Sequence, residues 1–96
     1  MADTSPNLRT HFEDLEHDAE YQAECAIVEF TENIARRMDE LGISRSELAR
    51  RLDTSPAYVT KILRGNANFT LKSMARISTA LETTLTTHLK HDRNSQ

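Results

Sequence analysis

Apolar residues recur at intervals of three and four through Ile27, Phe30, Ile34, Met38 and Leu41. That spacing is one stripe on a helix, and it predicts a long helix from Ala19 to Leu41. Ser44 stands three residues before Glu47, the spacing of a capping box, so a short helix is expected over Arg45 to Leu52 with Leu48, Ala49 and Leu52 inward. After a turn of Asp53, Thr54 and Ser55, a second short helix is predicted from Pro56 to Arg64, burying Val59, Ile62 and Leu63. Two short helices on so tight a turn must cross steeply. Thr70 is placed to cap a further helix with Leu71, Met74, Ile77 and Leu81 on one face, and Phe69 to close the end of the core. Leu8, Phe12 and Leu15 have the spacing of a short amphipathic helix that packs on the long helix or on a second chain. The threonine-rich stretch after Glu82 leaves two readings open, a last helical turn over Leu85 to Leu89 or β-prone chain. Beyond Lys90 the chain is expected to fray.

Pro6 and Pro56 each follow a serine, the order of an N-cap and the first helical position, where proline's missing N–H costs nothing. Gly42 and Gly65 each end a helical pattern, as suits a left-handed residue just past a helix. The expectation is therefore an all-α fold of five or six helices. It divides into an acidic helical extension over residues 1–24, a helical domain over 25–90 and a disordered tail over 91–96.

Length and charge change the picture next. With 96 residues there is room for one core, and 38 % hydrophobic with 28 % charged residues suits a globular domain with no membrane association. The opening Met1-Ala2-Asp3-Thr4-Ser5 carries no export signal and Cys25 is the one cysteine. Cytoplasmic localisation is expected, without a disulfide. The net charge of −3 conceals a division. Residues 1–40 hold eleven acids against Arg9, Arg36 and Arg37, a net of −8, while residues 41–96 hold nine bases against four acids, a net of +5. Such asymmetry points to two kinds of partner.

The segment from Ile43 to Gly65 resembles the helix-turn-helix of the lambda-repressor-like family, also called Cro-like or Xre-like. The carriers are the Leu48-Ala49 pair, Leu52, the polar turn, Val59, Ile62 and Gly65, and Asn68-Phe69-Thr70-Leu71 extends the likeness. Ala49 is small where the second helix must cross close above the first. The resemblance implies that the helix opened by Pro56 lies in the DNA major groove. Its outward Ala57, Tyr58, Thr60 and Lys61 would then read bases: Lys61 at guanine, Ala57 or Thr60 at a thymine methyl. Arg45, Ser55, Arg64, Asn66, Thr70 and Lys72 would hold the phosphates. Arg45 replaces the family's usual glutamine and should favour phosphate. Asp53 replaces its usual turn glycine, which aspartate can do in a left-handed backbone. Pro56 removes one polar base contact.

The implied activity is that of a transcriptional regulator, a repressor that binds double-stranded palindromic DNA as a homodimer, with half-sites about 34 Å apart and no cofactor. A narrower version is an antitoxin that also grips a basic toxin through residues 1–33, where Leu8, Phe12, Leu15 and Tyr21 stand among carboxylates. The rival class is a protein-binding adaptor without DNA affinity. Nothing resembles an enzyme site. His88 and His91 are spaced for a metal but lack a third ligand. Cys25 has no positive neighbour to activate it. Asn68-Phe69-Thr70 matches a glycosylation sequon but sits inside the family motif.

Overall fold

The computed structural model describes residues 18–91, and among these the chain is all-helical. α1 spans Ala19–Leu41, α2 Arg45–Leu52, α3 Pro56–Leu63 and α4 Leu71–Ala80. Each begins on a residue whose side-chain oxygen accepts an orphan backbone N–H of the first turn: Asp18, Ser44, Ser55 and Thr70. Each ends the same way. The backbone N–H groups of Gly42, Asp53, Gly65 and Glu82 bond back to Asp39, Arg50, Ile62 and Thr79, and the next N–H of each bonds one residue further back, to Met38, Ala49, Lys61 and Ser78. This is the Schellman closure, which needs a left-handed residue. All four of those residues have φ between 57° and 75°, yet only two are glycine. Aspartate and glutamate accept the cost, and the turns between helices stay short.

The core is a single cluster. Ile34, Leu48, Val59 and Ile62 are at most 2 % exposed, with Met38, Ala49, Leu52, Ala67, Ile77 and Leu81 nearly as buried. Each large side chain contributes about 1.5–3 kcal/mol by leaving water. α2 packs on α3 and α4, and α1 lies against α3. Phe69 closes one end, edge-on to Phe30 with ring centroids 5.3 Å apart and planes at 86°, as expected of an aromatic pair.

Three arginines join helices through backbone carbonyls. Arg37 Nε donates to Leu81 O at 2.9 Å, Arg51 Nη1 to Ala80 O at 2.8 Å and Arg76 Nη2 to Leu52 O at 3.0 Å. The C-terminal carbonyls of α4 and α2, left without partners inside the helix, thus receive cations from other helices.

Several expectations need correction. Leu71 is 66 % exposed, because it sits on the first turn of α4, beyond the cluster that Ile77 and Leu81 enter. Leu63 is half-buried, and Ile62 takes the interior position beside it. Ser44 caps α2, but Glu47 does not return the bond; its carboxylate accepts from Arg50 and Arg51 instead. The reciprocal box is found at α4, where Ser73 N–H donates to Thr70 Oγ1 and Thr70 N–H to Ser73 Oγ. The final helical turn over Leu85 to Leu89 does not form, and no strand replaces it. Glu82 at φ 60° reverses the chain, Thr83 binds back to Ser78 through both its N–H and its hydroxyl, and the following threonines favour helix poorly. Ala67, between two asparagines, is an unforeseen core residue at 7 % exposure. The helix expected around Leu8, Phe12 and Leu15, the Ser5-Pro6 cap and residues 92–96 of the tail lie outside the described residues.

Candidate nucleic-acid interface

α2, the turn 53–55 and α3 form the most extensively packed helix pair among the described residues. Ala49 of α2 is 2 % exposed in the core, and Val59 and Ile62 of α3 are fully buried in the same cluster. Helical periodicity then turns the remaining positions of α3 outward. Ala57, Lys61 and Arg64 are exposed, and Tyr58 is 36 % exposed. Lys61 is exposed and makes no hydrogen bond or ion pair among the described residues. Pro56 occupies the first position of α3, and Ser55 Oγ accepts from Tyr58 N–H at 3.2 Å. The Ser55 hydroxyl proton remains available to an acceptor outside the protein.

Thr60 is half-buried, and its Oγ1 accepts from Arg45 Nη1 at 3.0 Å. The first residue of α2 is thereby tied to the outward side of α3, which brings an expected phosphate ligand against an expected base reader. Tyr58 and Ser73 line one shallow groove of about 230 Å³ with Thr54 and Arg76. The first turn of α4, which carries Thr70 and Lys72, therefore lies beside the N-terminal turn of α3. Thr70 Oγ1 accepts from Ser73 N–H, and Lys72 is exposed. Arg64 and Asn66 are exposed at the far end of α3.

Cations in this half of the chain fall into two groups. Arg51 and Arg76 are engaged with carbonyls of other helices, and Arg50 is paired with Glu47, whose carboxyl the Arg50 and then the Arg51 hydrogen bonds hold at about 2, below its usual 4.5. Arg45, Lys61, Arg64 and Lys72 carry no ion pair among the described residues. These four are the cations expected from the sequence to meet DNA, whereas the structural role of Arg51 and Arg76 had no local signal. Among the described residues no three His, Cys, Asp or Glu side chains gather as a metal site. No helix there is long and apolar enough to cross a membrane.

A family model described as helix-turn-helix matches residues 34–87, more than half of the chain. Comparison with curated proteins and with solved structures gave no match.

Proposed function

The chain belongs to the lambda-repressor-like helix-turn-helix family, whose members are DNA-binding regulators, and we propose that it is a transcriptional repressor that binds a palindromic operator as a homodimer. In this reading residues 25–90 are the DNA-binding unit and α3 enters the major groove. Ala57, Tyr58 and Lys61 meet base edges, and Thr60 contributes through its contact with Arg45. Arg45, Ser55, Arg64, Asn66, Thr70 and Lys72 grip phosphates from the helix starts and ends around it. The observation that carries the reading is the unpartnered, exposed Lys61 on the helix whose opposite side, Val59 and Ile62, is fully buried.

The experiment is genomic occupancy of the tagged protein followed by gel-shift titration on the recovered site. Lys61→Ala is expected to weaken binding by about 1–3 kcal/mol per subunit and to relax preference at one base pair. Lys72→Ala should instead lower affinity for all sequences and reduce the salt slope by about 1 per subunit. A folded protein that enriches no site sinks the reading and leaves the protein-binding adaptor. One observation favours an added antitoxin role. Residues 18–26 are all exposed, and Asp18, Glu20 and Glu24 lie among them; with the acidic residues before them they form a segment suited to a basic protein partner. Co-purification of a small basic protein that is lost on charge reversal at Glu20 and Glu24 is the expected result, and its absence rejects that role.

A further inference from the structure

We propose that Arg45 is a positioning residue for base recognition: by donating to Thr60 it fixes the Thr60 hydroxyl as a hydrogen-bond donor, which reads an acceptor on a base edge and excludes cytosine there. The proposal rests on the DNA-binding reading above and names the base chemistry at one position of the site. Ala57, Thr60, Lys61 and Arg64 stand at spacings of three and four, so they share the face of α3 opposite the buried Val59 and Ile62. Of these four side chains only that of Thr60 has a hydrogen bond among the described residues, from Arg45 Nη1 at 3.0 Å. Chemistry sets the direction of this bond. A guanidinium has donors and no acceptor, so Thr60 Oγ1 gives it a lone pair and keeps its own proton. That proton has no acceptor among the described residues. Other helical hydroxyls turn theirs back on their own helix: Thr31 donates to Val28 O, Ser73 to Thr70 O and Ser78 to Met74 O. Thr60 has no such bond to Pro56 O.

The neighbouring cation also turns the hydroxyl proton away from itself and polarises the O–H, which makes the group a stronger donor and a weaker acceptor than an isolated threonine. Bases differ in what they offer such a group in the major groove. Guanine presents N7 and O6, adenine N7 and thymine O4, whereas cytosine presents an amino donor and no acceptor. A fixed donor therefore discriminates against cytosine at the base it faces. A free hydroxyl, which rotates to give or to accept, does not. Arg45 remains a phosphate ligand while it does this. Its guanidinium carries several N–H groups in one plane, and Thr60 uses one of them. The rest face outward from the exposed first turn of α2, so a single side chain couples a backbone phosphate to a base contact. Thr60 thus reads through its hydroxyl, and its methyl is not the group that sets the preference.

The test is selection of random-sequence duplex DNA at low salt by the full chain and, in parallel, by Thr60→Val, Thr60→Ser and Arg45→Met, with base frequencies read at every position of the enriched site. The wild type should have one position from which cytosine is excluded by about 10-fold. Thr60→Val keeps the shape of the side chain without its hydroxyl and should admit cytosine at that position alone. Thr60→Ser should keep the exclusion. Arg45→Met frees the hydroxyl to accept, so it should admit cytosine at the same position and also lower the salt slope by about 1 per subunit. Circular dichroism should show unchanged helix content in all three. Three results overturn the proposal while leaving the DNA-binding reading intact: a wild type that tolerates cytosine throughout its site, base frequencies unchanged in Thr60→Val, or an Arg45→Met that loses affinity without changing preference at the Thr60 position. A folded wild type that enriches no sequence overturns the two together.

Discussion

Arg50 and Arg51 are adjacent, chemically identical and both bonded to Glu47, and the fold predicts that replacing them has different consequences. Arg50 has its side chain 73 % exposed and no other partner among the described residues. Arg51 is 26 % exposed and also donates from Nη1 to Ala80 O at 2.8 Å, with Glu82 Oε2 at 3.4 Å. Arg51→Ala therefore removes a charged hydrogen bond to a carbonyl at the end of α4, worth about 1.5–3 kcal/mol, while its exposed ion pairs add little. For a domain of this size each kcal/mol moves the melting midpoint by roughly 4–8 °C, so a drop of roughly 6–24 °C is expected. Arg50→Ala should lower the midpoint by much less, since it removes only an exposed ion pair. Thermal denaturation followed by circular dichroism at one protein concentration separates the two. Equal shifts, or a larger one for Arg50→Ala, would refute the claim that the Arg51 guanidinium works as a helix terminator. Folded Arg51→Ala should also keep its DNA preference, because its side chain is turned into the domain.

Ala49→Leu should destabilise by about 1–3 kcal/mol, since Ala49 is 2 % exposed in the cluster that also holds Val59 and Ile62 of α3. Urea titration measures this, and the displaced α3 should lose DNA affinity even at temperatures where the variant is folded. The Glu47 carboxyl has a folded value of about 2 against the usual 4.5, a depression caused first by Arg50 and then by Arg51. Its contribution is therefore complete above about pH 4.5 and is lost as pH falls toward about 2. Glu47→Gln should flatten the acid limb of urea midpoints in that window; an unchanged limb would show that the pairing does not stabilise the fold.

Much of the fold was legible because its signals are local. Asp53 in a left-handed turn, the caps at Ser44, Ser55 and Thr70, and the stripe from Ile27 to Leu41 rest on contacts within one or two helical turns, and the structure has all of them. The outward positions of α3 followed from Val59 and Ile62 facing in. Glu82 was not legible: nothing in a glutamate announces a left-handed residue, and only the return of Thr83 to Ser78 explains why the helix is closed off there. The same holds for Leu71, which has the right spacing but lies beyond the reach of the elements that would cover it.

The amino-acid sequence by itself determined where the four helices lie, which side of each is apolar and which motif they compose, since periodicity and capping act over a few residues. The tertiary structure alone decided how the charges are used. Arg37, Arg51 and Arg76 meet carbonyls 44, 29 and 24 residues away, and Arg45 meets Thr60 across the helix pair. A cation's role depends on which helix end folding brings to it, and that distance in the chain carries no pattern a local reading can find.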